Sequence, residues 1–150
     1  MTQAYTYRFT EVHELGPGFF PGNYVAGIYQ TAWANMTNHQ RGVFVLGTGD
    51  MAAGSTVDCQ LWQAQDAAGL NPLIIAGKAI LQLQQAAGDG NDSVCIEFRT
   101  EELDVDAKYS FVAAVVTVGG QANSDLTGAF FLGASNYPPV PVANWTEIVD

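Results

Sequence analysis

The chain has 150 residues, of which only 13% are charged, and its 15 acidic and 5 basic side chains give a net charge of −10. The basic residues are scattered, so no cationic cluster is present that could replace the counterions of a nucleic acid or attract an anionic membrane. These totals exclude nucleic acid and membranes as expected partners. They predict one domain whose sparsely charged surface loses little solvation when it docks on another protein.

The N-terminus has no basic start followed by an apolar run, so we expect no secretory signal. The longest apolar runs, such as residues 111–116, are far shorter than the ~20 residues that span a bilayer. We therefore expect a protein that is made in a reducing cytosol and stays soluble there. Its two cysteines, Cys59 and Cys95, are too few for a disulfide framework.

The first predicted element is a half-buried strand, because Tyr5, Tyr7 and Phe9 alternate with polar residues. Residues 16–22, Gly-Pro-Gly-Phe-Phe-Pro-Gly, predict a loop. Phe19 and Phe20 in this loop allow two interpretations: they insert into a neighbouring molecule, or they close the end of their own core.

The middle of the chain alternates strands and turns. Residues 43–46 predict a buried strand that the glycines at 47–50 end, and residues 56–63 predict a second strand. In the second strand Val57, Cys59 and Leu61 face one side, and Asp58, Gln60 and Trp62 face the other. Turns are predicted at 66–72 and 88–92, a strand at 73–76, and either a strand or one helical turn at 78–85.

Residues 94–99 give the clearest half-buried strand, with Val94, Ile96 and Phe98 on one face. Cys95 then points outward while Cys59 points inward, so a disulfide between them is not expected.

Residues 109–118 are apolar on both faces. We expect either a central strand whose second face is covered by a loop, or a strand covered by a second subunit. Residues 126–134 predict a further apolar strand.

Together these patterns predict an all-β fold: a single-domain antiparallel β-sandwich, of jelly-roll or immunoglobulin-like type, over residues 1–136. Residues 137–150 are predicted to form an extended C-terminal arm, because closely spaced prolines cannot join a central strand. Tyr137 and Trp145 supply large, rigid anchors in this arm. The arm either wraps its own domain or docks on a neighbouring subunit.

Motifs for chemistry are sparse. His13 and His39 lie in loop-like segments, and no Gly-x-Ser-x-Gly nucleophile elbow occurs, so no catalytic residue is predicted. Asp104 and Asp106, with a neighbouring glutamate, could hold Ca²⁺, although a solvated acidic turn is the favoured interpretation. The cysteines and histidines show no zinc spacing, and neither a metal site nor a cofactor is predicted.

The second half of the chain carries a more specific pattern. An acidic turn, Leu-Asp-Val-Asp at 103–106, is followed by an apolar strand, a Gly-Gly-Gln-Ala-Asn turn at 119–123, a second apolar strand and Asn-Tyr-Pro at 136–138. With the segments at 42–49 and 55–67, this pattern resembles the small structural proteins that tailed bacteriophages encode in their head-morphogenesis modules. The resemblance covers about two thirds of the chain and does not include its first ~40 residues.

The resemblance implies a non-enzymatic decoration (cement) protein, made in the cytoplasm of a bacterial host, that binds the outside of the major capsid protein shell and stabilises it as a homo-oligomer, a trimer or a dimer. Alternatives are another virion structural protein, such as a head–tail connector, a tail component or a head-fibre base, and a glycan- or receptor-binding sandwich that uses Trp62 or Trp145. A hydrolase built on the histidines ranks last. The expected partner-binding residues are Tyr5, Tyr7, Phe9, Phe19, Phe20, Tyr137, Pro138, Pro139, Val140 and Trp145.

Overall fold

The computed structural model describes residues 9–135, without the side chains of Thr10, Glu11, Ala134 and Ser135. A single helical turn, α1 (Phe9–Val12), precedes the strands. The strands are β1 (His13–Tyr24), β2 (Gly27–Gln30), β3 (Ala34–Asn35), β4 (His39–Met51), β5 (Thr56–Ala64), β6 (Leu73–Ala79), β7 (Leu83–Gln84), β8 (Ser93–Arg99), β9 (Phe111–Gly119) and β10 (Ser124–Ser135). Short 3₁₀ turns lie at Gln85–Ala87 and Thr100–Glu102.

The strands form two antiparallel sheets. The first sheet has the order β1-β10-β4-β8, and the second has the order β2-β9-β5-β6. The two-residue strands β3 and β7 add to the second sheet by pairing with β9 and β5. The expectation of an all-β antiparallel sandwich is confirmed. No helix among the described residues is long and apolar enough to cross a bilayer.

The strand order decides between the two sandwich types. Leaving β3 and β7 aside, the first strand pairs with the last (β1 and β10), the second with the seventh (β2 and β9), the third with the sixth (β4 and β8) and the fourth with the fifth (β5 and β6). Successive pairs alternate between the two sheets. A long hairpin folded over itself in this way is a jelly roll, with eight strands in two Greek keys.

The core lies between the two sheets because each strand buries alternate residues. In β5, Val57, Cys59 and Leu61 are buried, as the sequence predicts. The first sheet contributes an aromatic cluster, in which Phe130 lies 4.8 Å from Phe44 and 5.9 Å from Phe98 between ring centroids. Tilted and edge-to-face contacts of this kind contribute about 0.5–1.5 kcal/mol per pair beyond area burial.

Four local predictions are wrong. His13 and His39 do not lie in loops, because they are the first residues of β1 and β4. Phe9 begins the helical turn α1 and is not in a strand. Residues 16–22 belong to β1, not to a loop, because β1 is an edge strand that tolerates proline and accommodates the irregular sequence with two register shifts. Residues 47–50 continue β4, where Thr48 is buried and its hydroxyl group donates to the carbonyl oxygen of Asp89 over 3.0 Å.

Strand β9 lies in the middle of the second sheet, between β2 and β5. On its outer face Ala113 is fully buried and pairs with Trp62, whereas Val115 and Thr117 are only half-buried. At the Ala113 end of β9, the outer face is therefore apolar because it is covered within the domain itself. The other end opens into a cleft.

Candidate functional site

The outer face of the first sheet carries an uncharged groove of about 610 Å³. Two rows of paired residues form its floor. Leu15 pairs with Phe131 in one row across β1 and β10, and Gly18, Ala129 and Val45 stand in the next row across β1, β10 and β4. The residues that line the groove are Leu15, Gly16, Pro17, Gly18, Phe19, Phe20, Val45, Gly47, Ser93, Thr127, Gly128, Ala129 and Phe131. We call this the first-sheet groove.

The two phenylalanines of β1 have different environments. The ring of Phe19 is half-buried and packs edge-on against Phe44 and Tyr24, with centroids 6.2 and 6.1 Å apart. The side chain of Phe20 is 88% exposed beside the groove. The structure thus gives Phe19 a packing role in its own domain and leaves Phe20 free to contact another molecule.

Phe9 lies at the His13 end of the same face. Its ring stacks on His13 at 4.1 Å with an interplanar angle of 9°, and it contacts Phe131 edge-on at 6.3 Å. The side chain remains 55% exposed. The structure therefore brings Phe9 and Phe20 to one face of the domain. The other expected partner-binding residues, Tyr5, Tyr7, Tyr137, Pro138, Pro139, Val140 and Trp145, lie outside the described residues.

The outer face of the second sheet carries a separate cleft of about 400 Å³. Trp33, which follows β2, and Trp62 of β5 line it, together with Ile28, Gln30, Gln60, Ala68, Gly69, Pro72, Val115 and Thr117. Both indoles are half-buried. The indole N–H of Trp62 is buried and has no acceptor among residues 9–135. We call this the tryptophan cleft.

The loop that closes one side of the tryptophan cleft is held by hydrogen bonds. The carboxylate of Asp66 accepts the backbone N–H groups of Ala68 and Leu70, each over 2.9 Å. The hydroxyl group of Tyr109 donates to the carbonyl oxygen of Asn71 over 2.8 Å. This wall of the cleft is therefore formed in advance, which lowers the entropy cost of binding a ligand.

The groups that sequence patterns suggest for chemistry have structural roles. The Nε2 atom of His39 lies 2.9 Å from a carboxylate oxygen of Glu14, and the Nδ1 atom of His13 lies 3.1 Å from the carbonyl oxygen of Phe9. Burial raises the pKa of the Cys59 thiol to about 12, so it stays protonated at neutral pH. The hydroxyl group of Ser55 bonds to that of Ser124 inside the core.

The acidic turn offers no assembled cation site. Glu102 lies 2.9 Å from the ammonium group of Lys78 and accepts the backbone N–H of Arg99, and these two hydrogen bonds lower the pKa of its carboxyl group. Glu101 lies 3.3 Å from the guanidinium group of Arg99. The glutamates that could assist Asp104 thus face cations, and no cluster of three metal-ligating side chains occurs in the part of the chain described.

Two further sequence predictions concern exposure. Cys95 is exposed and Cys59 is buried, and both are free thiols, as expected from their places on β8 and β5. Trp62 lies on the outward side of β5, as the alternation predicts, but it is half-buried instead of fully exposed. Trp33 and Gln30 were not singled out by the sequence, because nothing in the pattern of residues 30–35 indicates that the loop at 66–72 folds against them.

No protein-family model and no curated protein matches the chain. Among solved structures, the chain is similar to the empty capsid of Triatoma virus, with 10% identity, a TM-score of 0.47, and coverage of 89% of this chain and 93% of that one. It is also similar to infectious bursal disease virus strain Gx (13% identity, TM-score 0.40, 84% and 33% covered). Broad bean stain virus gives 14% identity, a TM-score of 0.38, and 75% and 65% coverage.

These three TM-scores are all below 0.5. The strand order therefore defines the fold, and the two outer surfaces are the features that bear on function.

Proposed function

We propose that this chain is a virion structural protein, and within that class a decoration protein that binds the outside of a major capsid protein shell. The observation that carries the proposal is the first-sheet groove, none of whose lining residues is charged although the chain has a net charge of −10. The cores of protein interfaces are depleted in charged residues and enriched in aromatic ones. A groove of this composition suits a protein partner.

The fold is compatible with the proposal but does not decide it. Jelly rolls occur in viral capsid domains, in lectins and in cupins, so the architecture alone leaves several functions open. The resemblance of the second half of the chain to phage head proteins favours the first of these. We propose the particle surface as the location and binding, not catalysis, as the activity.

The edges of the first sheet suggest how the partner docks. Strand β1 is an edge strand, and Pro17 and Pro21 lack the backbone N–H groups that an added strand would need. Addition of a strand to this edge is therefore disfavoured. Contact through side chains on the open face is the docking mode that the first-sheet groove supports, with the exposed ring of Phe20 as an aromatic anchor.

We also propose that the protein forms a homo-oligomer, a dimer or a trimer, on the shell, as the resemblance implies. Neither nucleic acid nor membrane is a proposed partner, because the five basic residues are scattered along the chain. Sedimentation velocity of the free protein measures the oligomeric state. If the free protein stays monomeric at every concentration tested, any oligomer forms only on the assembled shell.

The direct test is cosedimentation with shells of the major capsid protein that lack this chain. Phe20→Ser removes the exposed ring from the first-sheet groove. Ile28→Ser is the matched control, because Ile28 is a 73% exposed apolar residue on the second sheet. We expect the Phe20 variant to lose at least about tenfold in affinity and the Ile28 variant to bind as the wild type does. Equal binding by both variants would show that the first-sheet groove is not part of the interface with the shell.

A further inference from the structure

We propose that the tryptophan cleft is a binding site for a neutral oligosaccharide. Trp33 and Trp62 both line this cleft of about 400 Å³, which lies within the size range of small-molecule sites. The flat, C–H-rich face of a pyranose ring is apolar and slightly electropositive, so it packs well on the electron-rich face of an indole. Two indoles in one cleft can contact two sides of one ring or two successive rings.

The floor of the cleft carries the polar groups that sugars require. Gln30, Val115 and Gln60 form one row across β2, β9 and β5. Within residues 9–135 neither glutamine side chain makes a hydrogen bond, although both line the cleft. Each amide offers two donors and one acceptor, which can bond to adjacent hydroxyl groups of a sugar ring. The hydroxyl group of Thr117, one row further along, adds a third polar contact.

The charges around the cleft decide which sugars fit. None of the residues that line it is a lysine or an arginine. Asp58 pairs with Thr117 in the adjacent row, and its carboxylate accepts a hydrogen bond from the side chain of Gln82 over 2.8 Å. A sialylated, phosphorylated or sulfated glycan would bring a negative charge to a cleft that has no lysine or arginine in its lining and has a carboxylate in an adjacent row. Neutral hexose and N-acetylhexosamine oligomers avoid that repulsion.

The geometry also favours a small ligand over a flat protein surface. The loop at 66–72 forms a rigid wall, since Gly69 packs on the Trp33 indole and Asp66 holds the neighbouring backbone. A sugar can therefore bind without ordering the loop, which preserves affinity. The site is on the second sheet, whereas the groove assigned to shell binding is on the first, so both surfaces can be used together.

The test is a glycan array that contains neutral and acidic oligosaccharides, followed by titration of intrinsic tryptophan fluorescence with each neutral glycan retained. We expect retention of neutral glycans, and at least a tenfold loss of affinity for Trp62→Ala and for Gln60→Ala. Trp62→Phe keeps an aromatic face and should lose less affinity than Trp62→Ala. Phe20→Ser should bind glycans as the wild type does. Circular dichroism confirms that each variant is folded.

Three results would overturn the proposal. They are an array on which no neutral glycan is retained, a preference for acidic glycans, and binding that folded Trp62→Ala retains in full. Sedimentation velocity of the same variants adds a fourth, because a dimer that Trp62→Ala dissociates would assign the cleft to a second copy of the chain. Cosedimentation with capsid shells is measured separately, so failure of glycan binding leaves the shell-binding proposal intact.

Discussion

Gly69 packs directly against the indole of Trp33: a Cβ atom on Gly69 would lie 2.6 Å from Nε1 of Trp33. Gly69 also has a φ angle of +83°, which residues with a side chain rarely adopt. This contact joins the loop at 66–72, which forms one wall of the tryptophan cleft, to the Trp33 indole that also lines the cleft. It makes the shape of the cleft dependent on the absence of a side chain at one position.

Gly69→Ala should therefore be more destabilising than backbone strain alone predicts. Gly77→Ala is the matched control, because Gly77 has a φ angle of +74° but no atom within 4 Å of its Cβ position. We expect the Gly77 variant to lose about 1 kcal/mol from the free energy of unfolding and the Gly69 variant to lose about 1–2 kcal/mol more. Urea denaturation measures the free energy of unfolding of both variants. Equal losses would show that the Trp33 indole moves aside at no cost in free energy.

Substitutions of the two phenylalanines of β1 should separate effects on stability from effects on binding. Phe19→Ala removes a half-buried ring that packs on Phe44, so we expect the free energy of unfolding to fall by about 1–3 kcal/mol. Phe20→Ser changes an exposed ring and should alter stability by less than ~0.5 kcal/mol. Thermal and urea unfolding check both values. A large loss of stability in the Phe20 variant would show that its ring packs within the domain.

Cys59 should make the fold sensitive to alkali. In the folded chain the pKa of this thiol is about 12, against an ordinary value of 9.0, so above pH 9 the unfolded chain ionises the thiol while the folded chain keeps the proton. The contribution of the Cys59 thiol to the free energy of unfolding is fully present below pH 9. It is lost as the pH rises towards 12, by up to ~1.4 kcal/mol per pH unit. Urea unfolding at pH 8 and pH 10 measures the loss. Because Cys59→Ala has no thiol to ionise, identical pH slopes in wild type and variant would contradict this assignment.

The two thiols should also differ in reactivity. Cys95 is exposed on β8, and Cys59 is buried between the sheets. We expect iodoacetamide to add one group to the native protein, at Cys95, and a second only in denaturant, because the attacking species is the thiolate. Intact-mass spectrometry with peptide mapping identifies the sites. Rapid labelling of Cys59 in the native protein would mean that the sandwich opens locally.

Regular alternation made much of this fold predictable. Residues 56–63 and 94–99 show apolar and polar side chains with period two, and the structure has strands with the predicted faces at both places. Alternation fails where glycine and proline interrupt it. Residues 16–22 form part of an edge strand with shifted register, and whether such a segment pairs depends on a distant partner, here β10.

The candidate surfaces were less accessible to sequence reasoning. The outward side of Trp62 follows from the period of β5, but its position beside Trp33 results from pairing of β2 with β9 and of β9 with β5. Those pairings join residues that lie far apart in the sequence, and no local pattern encodes them. Apart from Phe19 and Phe20, the first-sheet groove was missed for a similar reason: Leu15, Val45 and Phe131 come together only when β10 pairs with both β1 and β4.

The copy number of this chain in purified virus particles tests the proposed shell-binding role most directly. Quantitative mass spectrometry gives its amount relative to the major capsid protein of the virus that encodes it. A decoration protein should be present at a ratio near one, or at a simple fraction such as one third. A dozen or fewer copies per particle would place the chain at a single vertex or in the tail, and absence from particles would contradict a virion role altogether.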